Sequence, residues 1–118
     1  MDRGEQETFG ALVRRLREER EIGLREMAKK IGVSPTYLSK VERDEFGPPA
    51  EDKVRKISEI LDQDTDELLA LAGRVSSDLA DIIKQQPREM ASLLRTACGM
   101  TREELGHLAQ QAHKAKQN

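Results

Sequence analysis

Thr36, Tyr37, Ser39, Lys40 and Arg43 put a hydroxyl, a phenol, a second hydroxyl, an ammonium and a guanidinium into one short stretch, PTYLSKVER. These groups suit hydrogen bonding and charge pairing with acceptor oxygens rather than bond making. Leu38 and Val41 interrupt them at a spacing that turns the apolar side chains to the other face of a helix. Other chemistry finds little support. His107 and His113 do not share a helical face, and no Cys or carboxylate spacing completes a metal site. Cys98 is the single cysteine, so no intrachain disulfide forms, and a reduced thiol is expected. No nucleophile elbow, glycine-rich phosphate loop or paired-carboxylate motif occurs. The sequence reads as a non-enzyme with no metal and no cofactor.

The polar cluster needs a helix to hold it, and the pattern supplies several. No stretch keeps a period-two alternation, and Gly and Pro fall between helical repeats. Thr8 can cap a first helix whose stripe is Phe9, Leu12, Val13 and Leu16, with Arg14, Arg15, Arg17 and Arg20 around its other faces. A break follows at Glu21-Ile22-Gly23. The second helix, 24–31, buries Met27, Ala28 and Ile31, and Gly32 fits the left-handed position that ends it. Val33 is an apolar plug, Ser34 an N-cap, and Pro35 stands at N1, where its missing N–H costs nothing. The third helix, 35–43, carries the polar cluster and puts Tyr37 on its exposed first turn. EFGPP at 45–49 is a turn.

A fourth helix is expected at about 50–61, with Val54, Ile57, Ile60 and Leu61 on one face, and a fifth at about 65–72. Asp64 or Thr65 caps the fifth, which buries Leu68, Leu69 and Leu71. Ser76 or Ser77 starts a sixth and Pro87 a seventh, whose stripe is Met90, Leu93, Leu94 and Ala97. Thr101-Arg-Glu-Glu104 is a capping box opening an eighth, with Leu105, Leu108, Ala109 and Ala112 apolar. The last residues, HKAKQN, are expected to fray. The fold class is all-α.

Bulk composition narrows the function classes. The chain has 118 residues, 36% of them charged, with only 3% aromatic and a net charge of −2. A chain this short buries roughly two-thirds of its unfolded surface, so a second subunit sharing its aliphatic core is a natural expectation. Any nucleic-acid surface must be local, because global charge does not supply one. MDRGEQETFG has no apolar run, and LLALA at 68–72 is too short to span a bilayer. A cytoplasmic protein without membrane contact follows.

Two short helices joined by Gly32-Val33-Ser34 have the geometry of a helix–turn–helix, although periodicity alone gives only a helical hairpin. The wider pattern is more specific. LREER at 16–20, REMAKKIGVSPTYLSKVER at 25–43 and KVRKISEIL at 53–61 resemble the phage-repressor and Cro-type helix–turn–helix domains, the xenobiotic-response-element family. The resemblance implies a five-helix DNA-binding domain over 8–73, with helix 35–43 in the major groove. It also implies an architectural pair, Arg17 with Glu42, and structural roles for Ala28, where the helices approach, and Gly32. Gly23 and Leu24 depart from the pattern, which has Ser or Thr and then often Gln, and phosphate anchoring there is weakened.

On such a recognition helix Tyr37 can reach a phosphate or a thymine methyl; the alternative is a phenol folded back on the turn. Thr36 suits a phosphate or thymine edge, Ser39 either donor or acceptor, and Lys40 a guanine or a phosphate. Arg43 suits phosphate. No Asn, Gln or Arg stands near the front of the helix to make the usual bidentate base pairings. Arg14, Arg15, Lys29, Lys30 and Lys53 read better as solvated charges than as phosphate contacts.

Residues 76–118 lie beyond the resemblance and form a helical extension. Its stripes are too short to be stable alone, so they pack on the chain or on a partner. A homodimer on a two-fold double-stranded DNA operator is the leading expectation, as a transcriptional regulator of the repressor type. An antitoxin whose tail clasps a toxin, and an adaptor that binds protein through the same fold, remain open. LRTACGMTREELG at 94–106 aligns with LREEREIGLREMA at 16–28, as half a second helix–turn–helix or, more simply, a capped hairpin.

Overall fold

Helix caps and apolar stripes dictate the elements seen in the computed structural model, which describes residues 7–117. MDRGEQ, most of the N-terminal segment read above, and Asn118 lie outside them. The described residues form helices α1 (Phe9–Glu19), α2 (Leu24–Ile31), α3 (Pro35–Glu42), α4 (Glu51–Ile60), α5 (Thr65–Leu71), α6 (Ser77–Gln85), α7 (Pro87–Ala97) and α8 (Arg102–Gln117). No strand occurs among them. The protein is all-α and divides into two units, one ending at Ser77 and the other starting at Asp78.

In the first unit the apolar stripes converge on one core. Val13, Met27, Ala28, Ile31, Val54, Ile57, Leu61 and Leu69 are completely buried, with Leu38 and Val41 beside them. α3 packs against both α1 and α2, and α4 against α2 and α5. Thr8 caps α1: its Oγ1 accepts the Ala11 N–H at 3.1 Å and donates to Asp44 Oδ2 at 2.8 Å. That tie brings α1 against the end of α3, and Gly10 makes the approach possible. A Cβ on Gly10 would fall against the Val41 carbonyl oxygen and within 2.9 Å of that of Glu42.

Several boundaries differ from the sequence pattern by a residue. The third helix, expected over 35–43, ends at Glu42, and Arg43 is its C-cap. The fourth spans Glu51–Ile60 between caps at Ala50 and Leu61. Asp64, not Thr65, caps α5, accepting the Glu67 N–H at 2.9 Å. The Thr65 hydroxyl instead lies 2.8 Å from that of buried Ser58. Leu71, near the end of α5, is half-buried because the helix stops at the rim of the core. Arg74 then reaches back, its guanidinium donating to the carbonyls of Pro48 and Pro49 and holding the EFGPP turn.

The second unit has a capping box at the start of α8 but no buried side chain in its helices. Thr101 and Glu104 close the capping box reciprocally, with N–H to Oε1 at 2.9 Å and N–H to Oγ1 at 3.1 Å. The helix continues through HKAKQ rather than fraying there; Gln117 contacts His113 at 3.0 Å. It also runs uninterrupted through Gln110, which stands where the internal alignment would set Gly32. The tail is therefore a capped helical hairpin without a second helix–turn–helix turn. Leu79, Ile82, Leu93, Leu94 and Leu105 are each exposed by more than a third of their surface, Leu79 being the least so at 39%.

Candidate nucleic-acid interface

The turn between α2 and α3 is built from local hydrogen bonds. Gly32 has φ 81° and ψ 34°, and its N–H donates to the Ala28 carbonyl at 2.9 Å. The Val33 N–H donates to the same carbonyl at 2.9 Å, closing the end of α2. Ser34 Oγ accepts the Tyr37 N–H at 3.0 Å and starts α3. Gly23 makes no side-chain cap at the start of α2, as its lack of a hydroxyl requires.

An ion pair locks this pair of helices to α1. Arg17 Nε donates to Glu42 Oε2 at 2.8 Å, and a second guanidinium N–H donates to Oε1 at 2.9 Å. A third donates to the Ile22 carbonyl at 2.9 Å, which secures the break before α2. Both side chains are buried, and the Glu42 bond raises the Arg17 pKa above its ordinary value against the opposing effect of burial. The guanidinium stays charged, and its charge is spent inside the frame.

On α3 the expected contact residues separate into two rows. Thr36, Ser39 and Arg43 line an open depression together with Gly23, Leu24, Arg25 and Glu26 from the start of α2. Tyr37 and Lys40 face the turn that follows α3. Tyr37, expected on an exposed turn, is half-buried: it packs on the core, and its ring centroid lies 5.7 Å from that of Phe46. The folded-back arrangement thus holds for much of the ring. Lys40 Nζ sits over the same Phe46 ring, 5.2 Å from its centroid.

The surrounding cations differ in how they are engaged. Arg43 meets Glu45 at 3.4 Å and donates to the Ser39 carbonyl. Arg14 pairs with Glu18, Arg15 with Glu7 and Glu19, Lys30 with Glu26, and Lys53 with Asp52. Among the described residues, Arg25 and Lys29 pair with no acid. The apolar spacing of α2 marks its buried face and gives no sign that Arg25 lies beside Thr36, Ser39 and Arg43. The position of Arg25 in the first turn of α2, the end of that helix that shares the depression with α3, is the sequence signal that points to it. The described residues hold no cluster of His, Cys, Asp and Glu suited to a metal ion, and no helix long and apolar enough to cross a membrane.

A family of proteins described as a helix-turn-helix domain matches residues 10–74. The HTH-type transcriptional repressor RghR of Bacillus subtilis strain 168 is 33% identical over 69 residues, which is 58% of this chain and 51% of that protein. The HTH-type transcriptional regulator RghRB of the same strain is 29% identical over 69 residues, 58% of this chain and 50% of the relative. The chain spans about half the length of the curated relatives it matches. Among solved structures, the N-terminal DNA binding domain of SinR from Bacillus subtilis is 34% identical with a TM-score of 0.47, covering 52% of this chain and 88% of that one. The SinR/SinI protein complex aligns over 94% of this chain and 100% of that one at 23% identity and a TM-score of 0.50, a likeness of fold alone.

Proposed function

Because the chain belongs to the helix-turn-helix domain family, we propose that it is a sequence-specific DNA-binding transcriptional regulator, a repressor that acts as a homodimer. In this reading residues 8–73 are a five-helix repressor-like domain, and α3 enters the major groove. Thr36, Tyr37, Ser39, Lys40 and Arg43 meet the duplex, joined by Arg25. One observation carries the reading: Arg25, Thr36, Ser39 and Arg43 line one open depression, with Lys40 in the other row of α3 over Phe46, on a frame locked by Arg17 and Glu42. Backbone phosphates would lie along the cationic rim, while Thr36 and Lys40 face base edges. The repressor named among the relatives supports the regulatory role.

Residues 76–118 form the dimer or partner surface, a role supported by the exposed apolar side chains of α6 to α8. Two copies on a two-fold operator set half-sites about one helical turn apart. The protein works in the cytoplasm and catalyses nothing. The same exposed side chains favour one second reading, an antitoxin whose tail clasps a toxin while the first unit binds its own operator. Co-purification of one stoichiometric partner from the native host would select it.

Selection of fragments from a random duplex library tests the main reading. Thr36→Ala/Lys40→Ala is the fitting comparison, because Tyr37 packs on the core and its truncation would mix folding with binding. Wild type should enrich an inverted repeat that the double variant does not. Equal enrichment by both proteins would remove α3 from the interface, and none by either would remove the DNA-binding reading.

A further inference from the structure

The cations around α3 are held in place by different partners. Arg43, Arg14, Arg15 and Lys30 are each ordered by a carboxylate, which cancels much of the charge it positions. Lys40 is ordered by a neutral ring. Phe46 is 44% exposed, an unusual place for an aromatic side chain in a protein with only two phenylalanines and one tyrosine. Its placement is set by the backbone. The N–H groups of Glu45 and Phe46 both donate to the Lys40 carbonyl, at 2.9 and 3.2 Å, and fold the turn back along α3. Arg74 fixes the far end of that turn through the carbonyls of Pro48 and Pro49. The ring therefore stands against the outer row of α3, tilted 41° to Tyr37 and beneath the Lys40 ammonium.

We propose that Phe46 is a positioning residue for DNA readout: its ring holds Lys40 extended from α3 without neutralising it, so that the ammonium is presented to one base pair of each half-site. The inference rests on the DNA-binding reading above. A ring face attracts an ammonium through its quadrupole and accepts no strong hydrogen bond, so the N–H donors stay available to guanine O6 and N7 or to a phosphate. A lysine free to rotate would lose its rotamer freedom on binding; one already held against a ring loses less. Phe46 itself need touch no base. Its effect passes through Lys40, with Tyr37 as the neighbour that keeps the ring upright.

The test uses the full chain, with Phe46→Leu keeping apolar bulk, Phe46→Tyr keeping the ring face, and Lys40→Met removing the charge. The duplex is the one selected by wild type. Phe46→Leu should weaken binding about 2- to 5-fold, the range of an exposed cation–π contact, and blur the base preference at one position per half-site. Phe46→Tyr should restore both. In a Lys40→Met background, Phe46→Leu should add nothing further. The Lys40 side-chain proton resonances of the free protein should carry a ring-current shift that Phe46→Leu removes and Phe46→Tyr retains. Wild-type affinity and base preference in Phe46→Leu would overturn the inference, as would an undiminished loss in the Lys40→Met background. A wild type that selects no duplex would remove the DNA-binding reading and this inference with it. A wild type that selects one, with Phe46→Leu equal to it, would remove this inference alone.

Discussion

Glu42→Leu should unfold much of the first unit, whereas Arg17→Met/Glu42→Leu should not. Arg17 and Glu42 are 8% and 5% exposed, and three hydrogen bonds of 2.8 to 2.9 Å satisfy the guanidinium. Removing the carboxylate strands a buried charge with one carbonyl for company, a loss of about 3–5 kcal/mol. A unit of this size has a total stability on the order of 3–10 kcal/mol, so the single change consumes a large part of it. The melting temperature should fall by roughly 12 °C or more, at about 4–8 °C per kcal/mol. The double variant removes both charges and leaves the Ile22 carbonyl without its donor, a cost of about 1–3 kcal/mol. Urea titration followed by circular dichroism gives each difference by linear extrapolation. A large favourable coupling between the two changes is expected. Single variants within 1 kcal/mol of wild type, or single losses that add up to the double, would refute the argument that this pair is desolvated and costly to break singly.

The remaining predictions concern packing, acid stability and the interface. Gly10→Ala should destabilise the first unit by about 1–3 kcal/mol or more, because its Cβ meets backbone oxygens of α3 rather than movable side chains; thermal melting decides it, and an unchanged melting temperature would show that α1 is not seated there. The Glu51 pKa is lowered from its ordinary 4.5, first by the hydrogen bond from Arg55 and then by the Ser77 N–H. A depressed folded pKa contributes stability above 4.5 that is lost as pH falls through the lowered value, so Glu51→Gln should flatten that part of the melting-temperature profile below pH 4.5 and leave an identical acid limb if the reasoning fails. Arg25→Ala should weaken binding nearly equally for all duplexes and reduce the magnitude of the log–log salt slope by about 2, one phosphate contact from each subunit of the dimer; a changed base preference with an unchanged slope would mean that Arg25 reads bases rather than phosphate.

The sequence by itself determined the features that depend on neighbours three or four residues away. The all-α class follows from helical spacing, the left-handed Gly32 from its missing Cβ, and the Ser34 cap and the Thr101–Glu104 capping box from side chains meeting backbone within one turn. The polar cluster on α3 was legible for the same reason, since Leu38 and Val41 mark the buried face. What tertiary structure decided concerns groups that meet across long separations. Whether Thr65 caps α5 or joins Ser58, why residue 10 is glycine, and what Arg74 grips are invisible to periodicity. The division of α3 into a row beside Arg25 and a row over Phe46 is of this kind. A helical period says which side chains share a face; only the packing of the next helix and the next turn says which of them meet a neighbour's charge and which meet a ring.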